Sequence, residues 1–206
     1  LNNLIEDMCS SCNLGIDPWL LSTQFDACDN ISINDASDRS KLADMASDLL
    51  QNIQLKYTEH NIHETPYLVV KSNNGTYGMG IVSVDSPQQI LELNRKQRNK
   101  LTKGKSSAPI NHLILQEGVP TNHIVDDCAS EEVIYNVNGT SIGGFYRVHP
   151  KKSDRDILNS TGMSFKSLCQ NQNERCNENN TVICGAQQPI STTSKVLSKL
   201  ANMAAQ

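Results

Sequence analysis

The sequence predicts an α+β fold, and three observations support this prediction. Between Asp38 and Glu59, apolar residues recur every three or four positions, as on the buried face of an amphipathic helix. Two runs rich in β-branched residues, Tyr67–Val70 and Ile81–Val84, flank a loop that contains three glycines. Farther on, Asn138-Gly139 joins two longer strand-like runs and is the strongest short hairpin signal in the chain. The 206 residues suffice for one large domain or two small ones.

The composition argues against two classes of function, nucleic-acid binding and membrane binding. The formal net charge of −4 argues against a nucleic-acid-binding protein. The nearest basic tract, residues 95–105, falls on a predicted helix and its exit, where such a cluster is typical of a solvated face. No apolar run is long enough to span a bilayer, so we expect no membrane partner.

The cysteines and the start of the chain indicate the compartment. Seven cysteines, an odd number at irregular spacing, predict reduced thiols and a cytoplasmic location. Cys9 and Cys12 form a lone Cys-x-x-Cys without a second pair, which is weak evidence for a metal or redox site. No leader and no methionine precede Leu1, so we expect the chain to be part of a longer polypeptide.

The helical elements follow in order along the chain. Residues 1–33 predict a short helix followed by irregular connecting structure. The amphipathic helix comes next, capped by Ser37 or Asp38, with a predicted buried face made of Leu42, Ala46, Leu49, Leu50, Ile53 and Tyr57. Ser86, Pro87 and Gln89 form a capping-box pattern that opens a helix to about Leu101. Residues 170–181 are polar and predicted to be disordered, and a short helix from about Ser194 to Ala205 follows.

The glycine-containing loop is the strongest candidate for chemistry. The strand before it delivers Lys71, and the loop carries Gly75, Gly78 and Gly80. Glycine lets the backbone N–H groups approach a phosphate, and an ammonium at the strand end can meet a polyanion. A strand follows the loop where a Walker A or Rossmann motif needs a helix, so we interpret the loop as a hairpin flap. A glycine-rich surface hairpin beside an ordinary lysine is the alternative.

Two later strands also carry candidate residues. The run His112–Gln116 predicts a strand that breaks at Glu117-Gly118-Val119-Pro120, and a break there would expose main-chain groups of the kind that hold adenine. The Asn138-Gly139 hairpin joins Glu132–Val137 to Thr140–Val148, whose end presents Tyr146, Arg147 and His149.

The order of these pieces resembles the ATP-grasp ligases. In detail, the sequence is similar to the proteobacterial glutamate-cysteine ligase family of ATP-grasp type. The similar stretches are Lys71–Gly80, Leu93–Lys100, Gln116–Pro120 and Gly143–His149, with Leu14–Leu20 upstream. The likeness covers roughly Leu14 to Phe165, and the joint match is far more specific than the glycine loop alone.

The resemblance implies a fold and a reaction. It implies two α+β subdomains with antiparallel sheets that clasp ATP, with residues 65–168 as the ATP-grasp nucleotide-binding core. Residues 1–64 would be a connecting segment with the amphipathic helix, and residues 169–206 a low-complexity tail with a short helix. ATP and Mg²⁺ would serve the joining of L-glutamate and L-cysteine through γ-glutamyl phosphate, the first step of glutathione biosynthesis. The N-terminal half of the enzyme would be a missing partner, and assembly into a homo-oligomer is left open.

The resemblance also implies site residues. Lys71 would contact ATP phosphate, and Gly75, Gly78 and Gly80 would cover the β- and γ-phosphates. Gln116, Glu117 and Val119 would form the adenine hinge. Arg147 would hold the γ-phosphate or the substrate carboxylate, which its planar fork suits bidentately, with an exposed strand arginine as the alternative. Asn159 would contact substrate or phosphate, and His149 has only a weak claim, since a surface histidine or a satisfied core histidine is favoured over a site residue.

The metal ligands and the choice of substrate are the least specific implications. The one late Glu-x-Asn pattern comprises Glu178 and Asn180, in the low-complexity tail, and Glu131 and Glu132 are alternative carboxylates. Two other functions are compatible with the sequence: another ATP-grasp carboxylate-amine ligase resembling glutathione synthetase, or a nucleotide-binding chain without turnover.

Overall fold

The computed structural model describes residues 1–73, 80–102, 111–138 and 140–168, together with residues 196–197, 200–201 and 203–204. The described residues form two compact units, each with one sheet. The sheet A unit comprises Thr23–Pro120 and Arg155–Ser160, and the sheet B unit comprises the described remainder. The predicted α+β class is confirmed. Each unit combines separate stretches of chain, and the division into three consecutive segments stays a prediction.

Sheet A is an antiparallel sheet of four strands in the order β1-β4-β2-β3. The strands are β1 (Phe25–Asp29), β2 (Leu68–Ser72), β3 (Ile81–Val84) and β4 (His112–Glu117). Alternate residues of β2 and β4 are buried, among them Leu68, Val70, Leu113 and Leu115. The opposite face, which carries Lys71 and Gln116, is only half-buried. Alternation therefore separates a buried face from a half-buried face, on which Lys71 and Gln116 lie beside apolar residues such as Val69 and Ile114.

Helix α2 (Ala36–Glu59) packs an apolar face into the sheet A unit, and all six predicted face residues are buried. Its cap is Asp35 rather than Ser37 or Asp38, because Asp35 Oδ1 accepts the N–H of Asp38 at 3.0 Å. Asp38 Oδ2 in turn accepts the N–H of Ser32. This hydrogen bond, with one from Lys41, lowers the pKa of Asp38. Asp38 thus fixes the chain that enters the helix.

The single helix predicted from Ser86 to Leu101 is two helices, α3 (Pro87–Leu91) and α4 (Arg95–Thr102). Ser86 makes no side-chain capping bond. Instead, Asn94 Oδ1 accepts the N–H of Gln97, and Gln97 Oε1 accepts the N–H of Asn94, both at 2.9 Å. This reciprocal capping box starts a new helix at Arg95 and divides the predicted one.

Sheet B contains β5 (His123–Val125), β6 (Cys128–Val137), β7 (Thr140–Val148) and β8 (Ser164–Ser167), paired antiparallel in that order. The predicted Asn138-Gly139 hairpin is confirmed: Val137 pairs with Thr140, and Asn138 has a φ of 49°. Gly139 itself lies outside the described residues. Helix α1 (Asn2–Ser11) belongs to the same unit and buries Ile5 and Cys9.

Three strands were not predicted: β1, β5 and β8. The prediction of irregular structure after the first helix was wrong at Phe25–Asp29, which pairs along its whole length with β4. All three strands have only one strand partner, and their residues are mostly exposed. They therefore lack the apolar pattern that identifies a buried strand. Of the predicted C-terminal helix, the described residues are helical, and residues 170–181 lie outside the described part.

Candidate functional site

Lys71 lies on the half-buried face of sheet A, one residue before the end of β2. Its Nζ donates a hydrogen bond to Gln116 Oε1 of the neighbouring strand β4. Gln116 Nε2 donates in turn to Thr23 Oγ1 at 2.9 Å. The structure thus brings together two residues that were predicted separately, Lys71 for phosphate and Gln116 for the adenine hinge.

The charge of Lys71 is not neutralised by the part of the chain that the structure describes. Its contact there is the neutral Gln116 amide, and burial lowers the pKa of the ammonium. A half-buried cation without a carboxylate is electrostatically unfavourable until an anion arrives. The surroundings of Lys71 on the half-buried face of sheet A therefore favour an anion.

The loop after Lys71 returns to the sheet at Gly80, which precedes β3. Gly80 has a φ of 72°, in the left-handed region where a side chain would be strained. Gly75 and Gly78 lie outside the described residues. The pairing of Lys71 with Ile81 shows that the loop is closed by an antiparallel hairpin, as the sequence predicted.

The predicted hinge runs over the end of β4, and the N–H groups of Glu117 and Gly118 are already paired within the sheet A unit. Glu117 N donates to Gln24 O, and Gly118 N donates to Tyr67 O, both at 2.8 Å. The Glu117 carboxylate is buried on the opposite face from Lys71, where it accepts the N–H of Gln24. Val119 follows with a side chain that is 63% exposed. The expected exposure of main-chain groups is therefore wrong for the N–H groups of Glu117 and Gly118.

Gly118 makes a close contact that sequence reasoning missed. A Cβ at this position would lie 2.1 Å from Cε2 of the buried Tyr67 ring. The Arg155 guanidinium also packs on the Tyr67 ring, at 5.1 Å from the ring centroid. Arg155 Nη2 donates a hydrogen bond to Thr65 O at 2.8 Å. The segment Arg155–Ser160, which includes the predicted substrate residue Asn159, belongs to the same unit. Asn159 is half-buried.

Arg147 lies on sheet B and is not a free strand arginine. Its Nη1 donates to the carboxylate of Glu131, its direct cross-strand neighbour, and its Nε is buried and has no hydrogen-bond partner among the described residues. The same face carries an aromatic row of Tyr135, Phe145 and Phe165, in which Phe145 and Phe165 meet edge to face at 5.0 Å. Each of the three aromatic residues comes from a different strand, so only the register of β6, β7 and β8 brings them onto one face.

His149 is a structural residue in this arrangement. It is 4% exposed; Nδ1 accepts the N–H of Lys151 at 3.2 Å, and Nε2 contacts Thr161 O at 3.1 Å. These partners fix a neutral tautomer with the proton on Nε2, so that Nε2 donates. Both ring nitrogens are occupied, which agrees with the satisfied core histidine that the sequence favoured.

The described residues do not support the alternative pair of metal ligands. Glu131 and Glu132 are consecutive in β6, so their side chains point to opposite faces of sheet B, and Glu131 is paired with Arg147. They do not fit one shared ion. Glu178 and Asn180 lie outside the described residues.

The described cysteines are free thiols, and one of them has a shifted pKa. Cys9, Cys12, Cys28 and Cys128 are free thiols. Burial and several nearby carboxylates, Asp29 first among them, raise the pKa of Cys28, which makes this thiol less reactive. Among the described helices, none has the length and apolar content needed to cross a membrane.

Comparisons with known proteins identify the family. The model of the family described as GshA: Glutamate-cysteine ligase matches residues 1–206. A comparison with curated protein sequences found no match. A solved structure named "Putative gamma-glutamylcysteine synthetase", from Methylobacillus flagellatus KT, is similar, with a TM-score of 0.76 and 32% identity. The similarity covers 98% of this chain and 47% of that chain, so the present chain spans about half of that protein's length. The chain belongs to the glutamate-cysteine ligase family.

Proposed function

We propose that this chain is the nucleotide-binding part of an ATP-dependent ligase that joins glutamate to cysteine as γ-glutamylcysteine. The observation that carries the proposal is Lys71, a half-buried cation whose described contact is a neutral amide beside a glycine-containing loop. Family membership supports the substrates, and the name of the solved neighbour agrees with them. An ATP-grasp arrangement remains part of the proposal, supported by the order of the motifs.

In the proposed first step, the γ-carboxylate of glutamate attacks the γ-phosphorus of ATP, giving γ-glutamyl phosphate and ADP. Negative charge on the phosphate oxygens must be offset as the phosphoryl group moves. Lys71 supplies one positive charge for this purpose, and an incoming phosphate replaces the Gln116 amide as its partner. The loop that carries Gly75, Gly78 and Gly80 would add backbone N–H donors.

The adenine would lie at the end of β4 in the sheet A unit. Because the N–H groups of Glu117 and Gly118 are committed to the sheet, the proposed hinge uses the main chain of Val119. The exposed Val119 side chain suits an apolar ring. Release of Gln116 from Lys71 would free its amide oxygen for the adenine amino group.

In the proposed second step, the amine of cysteine attacks the acyl carbon of γ-glutamyl phosphate and phosphate leaves. Arg147 of the sheet B unit is the proposed anchor of a substrate carboxylate, and a separate substrate contact at Asn159 of the sheet A unit stays a prediction. The Glu131 carboxylate holds Nη1 of Arg147 and so orients the fork that a carboxylate would meet. Binding of Mg²⁺ by Glu178 and Asn180 stays a prediction. The roles proposed above for the two steps belong to protein groups only.

An activity assay on the full-length gene product that carries this sequence tests the proposal. We expect ADP formation that requires both glutamate and cysteine and that is lost in Lys71→Ala. Lys41→Ala is the control, because Lys41 is exposed and pairs with Asp38. ADP formation without cysteine, or with another acceptor amine in its place, would show that the proposed reaction is wrong.

A further inference from the structure

Helix α4 presents a basic groove that the proposed reaction does not use. Arg95, Lys96, Asn99 and Lys100 line this groove, which has a volume of about 500 Å³. Their spacing of one, four and five residues places them on one face of the helix, and all four side chains are exposed. The sequence suggested an ordinary solvated face here, and in the structure these residues line a shallow depression that is widely open to solvent.

The positive charges that line this α4 groove are placed where they destabilise the helix. Arg95 and Lys96 occupy its first turn, which contains no acidic residue and where the helix dipole already favours negative charge. Lys96 and Lys100 are four residues apart, a spacing at which like charges repel. Neither Arg95 nor Lys96 has an ion-pair partner among the described residues. A bound anion would remove both sources of repulsion.

Lys100 connects the α4 groove to sheet A. Its Nζ donates to the carbonyl oxygen of Ile81 at 2.7 Å. One of the three N–H protons of the ammonium is thus donated to the sheet, and the other two can be donated to a ligand. Ile81 is the first residue of β3 and pairs with Lys71. The lysine is therefore held by the sheet instead of moving freely in solvent.

We infer that the α4 groove is a binding site for a small inorganic polyanion of the phosphate class, such as pyrophosphate. Three cationic heads and one side-chain amide suit several closely spaced oxyanions. A nucleic acid would need a longer basic track, whereas this one occupies a single helix of eight residues on a chain of net charge −4. The inference does not depend on nucleotide binding at Lys71.

Calorimetric titration of the purified chain with pyrophosphate, at low ionic strength and without ATP, tests this site. We expect saturable binding that is weakened about 10-fold or more in the double variant Arg95→Gln/Lys96→Gln, because two charge-assisted contacts are lost. Lys100 is left unchanged, because its bond to Ile81 would confound the result. The matched control is Lys151→Gln/Lys152→Gln, which removes the same charge from two exposed residues of the other unit.

The remaining outcomes decide against the site. Absence of saturable binding in the parent chain would overturn it. Equal weakening in both double variants would show a general effect of net charge. Weakening only in Lys71→Met would assign pyrophosphate to Lys71, and tighter binding of a single-stranded oligonucleotide through the same residues would replace the proposed ligand class. Each variant is also checked by circular dichroism, so that an unfolded protein is not mistaken for lost binding.

Discussion

At the scale of single residues, the environment of Lys71 explains why it is the best candidate for phosphate. Burial lowers its pKa, so folding disfavours the charged form of this lysine. The folded protein therefore gains stability as pH rises through the lowered pKa towards the ordinary value of about 10.5, and loses it again as pH falls. A bound phosphate reverses this preference, since an opposite charge favours the ammonium.

Replacement of Gly118 by alanine tests the close contact between the predicted hinge and the Tyr67 ring. Gly118→Ala places a methyl group inside the contact distance of the Tyr67 ring, which is 6% exposed and lies next to Arg155. Such overpacking costs about 1–3 kcal/mol, and we expect the free energy of unfolding to fall by that amount in urea denaturation.

A double-mutant cycle provides the control for Gly118. In a Tyr67→Ala background the ring is absent, so the Gly118→Ala substitution should have little further effect on the free energy of unfolding. If Gly118→Ala costs as much in that background as in the parent chain, the close contact with Tyr67 is not the reason for the glycine.

At the scale of elements, local capping decides where helices begin. The sequence pattern at Ser86 predicted one long helix, whereas the Asn94–Gln97 capping box begins a second one. Both patterns were visible in the sequence, but the prediction used only the one at Ser86. Similarly, β1 escaped prediction because its pairing with β4 is a long-range contact that no local pattern reports.

The two caps can be compared directly. Asn94→Ala removes a side-chain acceptor from the first turn of α4, and we expect a loss of about 1 kcal/mol in unfolding free energy. Ser86→Ala should change stability much less, because Ser86 makes no side-chain capping bond. Chemical denaturation of both variants measures the difference, and a larger effect at Ser86 would contradict the observed helix boundary.

At the scale of the whole molecule, the sequence predicted the fold class, the two main hairpins and the family. It did so because the buried faces of α2, β2 and β4 repeat with regular periods, and because several motifs occur in the family's order. Two subdomains were expected, but the residues that form each unit could not be predicted, since each unit combines distant stretches of chain. The pairing of Arg147 with Glu131 was also missed: both residues were singled out, but only the register of β6 and β7 makes them neighbours.

The central claim is that Lys71 provides the phosphate-binding cation of a nucleotide site in this chain. The most direct test is the affinity of the purified chain for Mg-ATP, compared between the parent, Lys71→Met and the control Lys41→Met. We expect Lys71→Met to bind about 10- to 100-fold more weakly, since a charge-assisted hydrogen bond contributes about 1.5–3 kcal/mol, and Lys41→Met to bind as the parent does. Equal affinity in the parent and in Lys71→Met would contradict the claim.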